Sequence, residues 1–123
     1  MTSGILLFAH GARDPNWARP FTEVAAQASQ ARPGVQVRMA FLEFMTPDLV
    51  AAGDELAAAG CRRVDVVPLF LGAGGHVRKD LPQILQRLRE AHPAVEWRLR
   101  TTVGEQPEVI AALARAAVAA LEP

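Results

Sequence analysis

Near the start of the 123-residue chain stands the apolar run Gly4-Ile5-Leu6-Leu7-Phe8-Ala9, followed directly by His10 and Gly11. The run has no polar alternation, which is typical of a strand buried on both faces of a sheet. Further strands are predicted at Val35 to Leu42, Val64 to Leu69 and Val95 to Thr101. The first run therefore predicts a strand of a sheet that is covered on both faces.

Helical periodicity fills the intervals between these strands. Asp14 followed by Pro15 predicts the start of a first helix, in which Pro20 predicts a separate or kinked first turn. Thr46 with Pro47 predicts the start of a second helix, and Asp80 predicts the cap of a third. The fourth helix opens at Pro107. The apolar stripes are Trp17, Phe21, Val24, Ala25 and Ala28, then Leu49, Ala52, Leu56 and Ala59, then Leu81, Ile84, Leu85 and Leu88, then Val109, Ile110, Leu113, Ala117 and Leu121.

Four strand–helix units in succession predict an α/β protein, with an open parallel four-stranded sheet and helices on both faces. The length is that of one domain, so residues 1–123 are interpreted as a single domain without a linker or repeat. Half of the residues are hydrophobic, which is enough for a core that includes Trp17 and Phe21.

Composition excludes several classes of partner. Thirteen basic residues balance thirteen acidic residues, whereas a general nucleic-acid binder carries a basic excess. A single cysteine, Cys61, allows neither an internal disulfide nor a cysteine-based zinc cluster. No apolar run approaches the ~20 residues of a membrane span, and no leader pattern is present. We therefore expect a cytoplasmic protein that binds neither nucleic acid nor membrane.

Three candidate metal ligands follow strands of the predicted sheet. His10 follows the first strand, Glu43 the second, and His76 the loop after the third. Ligands of open parallel sheets bind at the carboxyl ends of the strands, so these side chains belong to one edge. Two imidazoles and a carboxylate suit Co, Ni, Fe or Zn. The alternatives are a hydrogen-bonded structural His10 and a Glu43 that merely ends a strand.

The same edge carries glycines and basic residues. Gly72, Gly74 and Gly75 either form a plain flexible loop or let the backbone take positive φ or approach a flat ligand. Basic side chains there would suit a substrate with several carboxylates, or are ordinary surface charge. No dinucleotide-binding or Walker A pattern occurs, so no nucleotide cofactor is expected. The basic residues are Arg13, Arg78 and Lys79.

Three stretches of the chain resemble motifs of the small class II chelatases of the sirohydrochlorin cobaltochelatase family. The resemblance runs from about Ile5 to Pro82, and the length agrees with short, single-domain members. One departure is Ala12, where the family often has Ser or another small polar residue. The matching stretches are Leu7-Phe8-Ala9-His10-Gly11-Ala12-Arg13-Asp14-Pro15, then Phe41-Leu42-Glu43 with Pro47, then Val67-Pro68-Leu69-Phe70-Leu71 with Gly74-Gly75-His76-Val77 and Asp80.

The resemblance implies insertion of Co²⁺, or in related enzymes Ni²⁺ or Fe²⁺, into a sirohydrochlorin-type tetrapyrrole without ATP. It makes His10 and His76 the metal-binding pair, with Glu43 as a helper, and it implies a homodimer with a cleft between subunits. Gly74, Gly75 and the basic residues would then contact the macrocycle.

Two other classes of protein compete with this interpretation. Histidine phosphatases also carry His-Gly after a first strand, but Arg precedes their histidine, whereas Ala9 stands here. A metal- or tetrapyrrole-delivery protein would use the same two histidines.

Overall fold

The computed structural model describes residues 2–72 and 74–122, with His76 described by its backbone alone. Strands and helices alternate along these residues. The strands are β1 (Thr2–Ala9), β2 (Gln36–Phe41), β3 (Cys61–Pro68) and β4 (Glu96–Leu99), the α-helices are α1 (Arg19–Ala31), α2 (Leu49–Ala58), α3 (Gly75–Ala91) and α4 (Pro107–Ala119), and short 3-10 helices lie at Pro15–Ala18 and Val103–Glu105.

The strands form one parallel sheet in the order β2-β1-β3-β4, which confirms the predicted α/β class. Strand β1 lies inside the sheet, where Leu7 pairs with Met39 on one side and Val67 on the other. The step from β1 to β2 runs opposite to the later steps along the sheet. Right-handed crossovers therefore place α1 on one face, and α2 and α3 on the other.

The core lies between the sheet and the helices α2 and α3. These helices contact each other, and they contact strands β1 to β4 through their apolar stripes. Because the stripes and one face of every strand are buried together, this layer gives the hydrophobic effect its largest contribution. Its members are Leu6, Phe8, Ala40, Leu49, Ala52, Leu56, Cys61, Val64, Val66, Leu81, Leu85, Leu88 and Trp97.

The opposite face of the sheet is less well covered. Helix α1 contacts β2 but has no buried residue, and α4 has none either. Trp17 and Phe21, predicted as core residues, are only half-buried; their rings lie 4.6 Å apart against each other. That prediction was wrong because the amphipathic face of α1 meets the sheet edge rather than its centre.

Two helix starts differ from prediction. Helix α2 is capped by Asp48, whose carboxylate accepts from the Ala51 N–H at 2.8 Å, and Thr46 lies before it. Helix α3 begins at Gly75 rather than near Asp80, because Val77 packs against the core one turn before Leu81. The kinked start predicted from Pro20 is present, as the 3-10 helix before α1. None of the helices in the described residues has the length and hydropathy needed to cross a membrane.

Candidate active site

His10 and Glu43 are brought together by continued pairing of β1 and β2 beyond the strand ends. The Leu42 N–H donates to the Ala9 carbonyl at 2.9 Å, and the Glu43 N–H donates to the His10 carbonyl at 3.1 Å. Gly11 then turns away with φ of 92°, so close to Glu43 that a side chain would collide with its carbonyl. The His-Gly pair is therefore a geometric requirement of this junction.

The two side chains form a direct hydrogen bond. His10 Nε2 lies 3.0 Å from Glu43 Oε1, and about half of each side chain is exposed. An ionised carboxylate can only accept, so the proton of this bond belongs to Nε2. The lone pair of a neutral imidazole is then on Nδ1. Metal-ligating histidines commonly donate their other ring N–H to a carboxylate in this way, which fixes tautomer and orientation.

The third predicted ligand, His76, is the second residue of helix α3. The helix follows strand β3, which neighbours β1, so the backbone of His76 belongs to the same carboxyl edge as His10. Its side chain lies outside the described part of the structure. Within that described part, no group of three or more His, Cys, Asp and Glu side chains is gathered as a metal site. The two-histidine metal pair therefore stays a prediction.

Next to Glu43, the chain makes an unusual turn at Phe44. Phe44 has φ of 66°, and the Met45 N–H donates to the Glu43 carbonyl at 2.8 Å, which closes a three-residue turn around it. The residue is 57% exposed. The guanidinium carbon of Arg13, a predicted substrate contact, lies 4.9 Å from the centre of the Phe44 ring.

The other predicted basic residues lie on the first turns of α3. The Arg78 guanidinium donates to Glu105 Oε1 at 3.1 Å, while Lys79 is exposed to solvent. Arg78, Glu105 and Arg100 line a pocket of about 340 Å³ between the ends of β3 and β4 and the start of α3. Phe70 contributes to the apolar wall of this pocket. This volume is at the lower end for a small-molecule site, so it fits one edge of a large ligand.

A buried hydroxyl holds the loops of this pocket in place. Thr102 is 6% exposed, and its Oγ1 donates toward the carbonyls of Pro68 and Phe70 at 3.2 and 2.9 Å. Gly104 packs so closely on Leu71 that an added Cβ would lie 1.9 Å from the Leu71 carbonyl oxygen. The end of β3 and the segment after β4 are thus tied together.

The glycines predicted to serve a ligand behave differently from Gly11. Gly72, Gly74 and Gly75 have ordinary φ, so the expected positive φ is not used there. Gly74 is the N-cap of α3, and Gly75 is its first residue. An added Cβ at any of the three would meet nothing within 4 Å among the described residues. Contacts with that part of the chain therefore do not require glycine at these positions.

Two features of the edge were missed from the sequence. The sequence pattern predicted Arg100 inside the fourth strand. Because β4 ends at Leu99, Arg100 lies after the strand and lines the pocket. Periodicity and composition do not indicate the conformation of Phe44. Bulky residues rarely adopt positive φ, so the sequence predicts an ordinary backbone at this position.

The sheet order and the histidine–carboxylate pair define a parallel α/β domain whose candidate site lies at the carboxyl edge of the sheet. The chain belongs to the CbiX family, whose model matches residues 4–120. A crystal structure of a CbiX protein from Marinobacter aquaeolei VT8, a candidate cobalamin (vitamin B12) biosynthesis protein, shares 32% identity and a TM-score of 0.85 over 98% of both chains.

Curated relatives are named sirohydrochlorin cobaltochelatase. The protein of Methanococcoides burtonii is 31% identical over 83 residues, and that of Saccharolobus islandicus is 37% identical over 82 residues. These matches cover 68% and 67% of this chain, but only 63% and 62% of the relatives. SirB from Bacillus subtilis, solved with Fe³⁺, has the same fold at 22% identity and a TM-score of 0.83. All of this chain matches 49% of the SirB chain.

Proposed function

We propose that residues 1–123 act as one domain that inserts a divalent metal, Co²⁺ in preference to Ni²⁺ or Fe²⁺, into sirohydrochlorin without ATP. The metal is a substrate, and no nucleotide takes part. The observation that carries the proposal is the hydrogen bond between His10 and Glu43 at the carboxyl edge. The names of the curated relatives supply the choice of cobalt and macrocycle.

The ion would be held by His10 together with His76. Because Glu43 occupies Nε2 of His10, the ligand atom would be Nδ1, with Glu43 orienting the ring. Two imidazoles leave most coordination positions open for exchange, and neutral imidazole suits divalent cobalt. The partial exposure of His10 and Glu43 gives an incoming ion and a flat ring access to this edge.

Metal insertion also moves protons. Two pyrrole N–H bonds break as the ring nitrogens replace the first ligands of the ion, so two protons must leave the macrocycle. Glu43 can take one of them, and an imidazole released from the ion can take another near neutral pH. The protons then pass to water, because both side chains of the hydrogen-bonded pair reach solvent.

The macrocycle would lie across the carboxyl edge of the sheet. Sirohydrochlorin carries eight carboxylates, which guanidinium groups bind through paired N–H donors. Arg13 contacts Phe44, which follows β2, while Arg78 and Lys79 lie on α3, which follows β3, so these basic residues come after the two strands that flank β1. Gly74 and Gly75 directly precede position 76 and add no side chain there. Arg100 adds a further guanidinium at the pocket beyond β4.

We also propose that the enzyme works as a cytoplasmic homodimer. The chain matches half of the SirB chain, so a second copy would supply the other half of a comparable fold. Helix α4 offers an apolar surface for such pairing, since Ile110, Leu113 and Val118 are 52%, 45% and 62% exposed. Exposed apolar patches of this kind are typical of protein–protein contacts.

The test is an anaerobic absorbance assay with sirohydrochlorin, excess Co²⁺ and a small amount of protein, compared with a blank without protein. The variant H10A removes the proposed ligand. H92A is its matched control, because His92 also contacts a carboxylate, with Nε2 2.6 Å from Asp54 Oδ1, but lies at the end of α3, at the opposite edge.

We expect many turnovers per protein from the wild type and from H92A. H10A should lose about a hundredfold or more in rate, as is usual when a group acting on the reacting atoms is removed. Equal rates for wild type and H10A would contradict the site. At most one cobalt–sirohydrochlorin per protein would contradict turnover and identify a delivery protein instead.

A further inference from the structure

Phe44 combines a costly backbone conformation with an exposed aromatic ring. Its φ of 66° lies in the left-handed region, which disfavours large side chains and favours Gly or Asn. The residue is 57% exposed and does not belong to the hydrophobic core. The packing of the fold therefore gains little from Phe at this position, while the backbone is strained by it.

Strained residues of this kind persist only where the surrounding structure over-determines them, and they cluster at active sites and ligand-binding sites. The turn at Phe44 is over-determined by its neighbours: the Glu43 N–H bonds to the His10 carbonyl, and the Met45 N–H bonds to the Glu43 carbonyl. Gly11 also packs against that same Glu43 carbonyl. The backbone that holds Glu43 against His10 is thus the backbone that presents the Phe44 ring.

The ring is paired with a positive charge. The guanidinium of Arg13 lies over the ring, 4.9 Å from its centre, which is within the distance of a cation–π contact. Arg13 has no carboxylate partner among the described residues, so its donors remain free for a ligand. An aromatic face can stack on a flat conjugated ring, and the adjacent guanidinium can bind a carboxylate at the edge of that ring.

We infer that Phe44 and Arg13 form a stacking platform that binds the tetrapyrrole beside the His10–Glu43 pair. Phe44 contacts the conjugated ring, and Arg13 binds one of its peripheral carboxylates. The platform sets the position of the macrocycle over the ion. This inference rests on the proposed function, since it names residues that would bind the substrate of that reaction.

The test measures binding of metal-free sirohydrochlorin by fluorescence titration, together with stability in urea. F44G removes the ring and suits the positive φ, F44L keeps apolar bulk without a ring, and F44W keeps an aromatic face. Insertion rates at saturating macrocycle provide a second readout for each variant.

We expect F44G and F44L to weaken sirohydrochlorin binding about tenfold, as loss of an aromatic stacking partner does. F44W should bind like the wild type. F44G should unfold at an equal or higher urea concentration, because glycine relieves the strained backbone. Binding would fall while stability does not, a pattern that a merely structural residue does not produce.

Two results would overturn the inference, and they are distinguishable. If the wild type and F44G bind sirohydrochlorin equally well, the platform is wrong while the proposed function stands. If the wild type does not bind sirohydrochlorin at all, the proposed function fails, and the platform fails with it.

Discussion

A Cβ atom placed on Gly11 would lie 1.9 Å from the carbonyl oxygen of Glu43. Residue 11 follows the candidate ligand His10, and Glu43 holds that ligand by a hydrogen bond. The close approach of the Gly11 backbone to Glu43 therefore joins the same two loops as the side-chain hydrogen bond. Any side chain at position 11 would have to push these loops apart.

The substitution G11A should damage both stability and the site. The new methyl group meets the Glu43 carbonyl, and alanine is disfavoured at φ of 92°. The two effects together should lower the free energy of unfolding by about 2 kcal/mol or more, measured by urea denaturation. G60A is the matched control: Gly60 has φ of 91° with open space around it, so it should lose only about 1 kcal/mol. Equal losses for both would contradict the close approach.

The hydroxyl of Thr102 should be important for the pocket at the end of β4. T102V keeps the shape of the side chain but leaves the Pro68 and Phe70 carbonyls without this donor. We expect a loss of about 1 kcal/mol in unfolding free energy. T101V, at an exposed neighbouring position, should stay within about 0.5 kcal/mol of the wild type. A T102V protein as stable as T101V would show that these hydrogen bonds contribute nothing.

The single thiol should be inert in the folded protein. Burial raises the pKa of Cys61 above its ordinary value of 9.0, although the charge of Arg38 lowers it in part. Because the thiolate is the reactive form, iodoacetamide should label native protein far more slowly than protein in urea, as mass spectrometry would show. The folded state also holds this proton longer than the unfolded state, so stability should fall as pH rises above about 9. Rapid labelling of the native protein would contradict the burial of Cys61.

The pocket lined by Arg78 and Arg100 should bind part of the substrate. R100A should raise the KM for sirohydrochlorin several-fold with little change in kcat. A carboxylate contact far from the reacting atoms stabilises the bound substrate and the transition state equally. The salt dependence of KM should weaken at the same time. R62A, an exposed arginine at the start of β3 on the opposite edge, is the control. A KM raised equally by R62A would indicate long-range charge rather than a subsite.

The sequence predicted the sheet well because its signals are local and strong. The run from Gly4 to Ala9 has no polar position, and the consecutive residues from Leu6 to Ala9 are indeed buried on both faces of the sheet. Because ligands of open parallel sheets bind at the carboxyl ends of the strands, His10 and Glu43 could be assigned to one edge without knowing the conformation of their loops. In the structure, His10 Nε2 lies 3.0 Å from Glu43 Oε1. Both inferences depend on topology, which hydrophobic patterning determines.

The errors arose where tertiary contacts override local preference. Glycines before His76 predicted a loop, but packing of Val77 against the core extends α3 back to Gly75. Trp17 and Phe21 follow helical spacing, but α1 contacts the edge strand β2, so both side chains stay half-buried. The turn at Phe44 is held in part by the hydrogen bond from the Glu43 N–H to the carbonyl of His10, a residue far away in sequence, which no local pattern encodes.

The most direct test of the central claim asks whether His10 and His76 act on one metal ion. The measurement is kcat/KM for Co²⁺ insertion into sirohydrochlorin by the wild type, H10A, H76A and H10A/H76A. If both imidazoles hold the same ion, each single variant loses about a hundredfold or more, and the double variant is little worse than the weaker single variant. Losses that multiply in the double variant, or a single variant with the wild-type rate, would contradict the account.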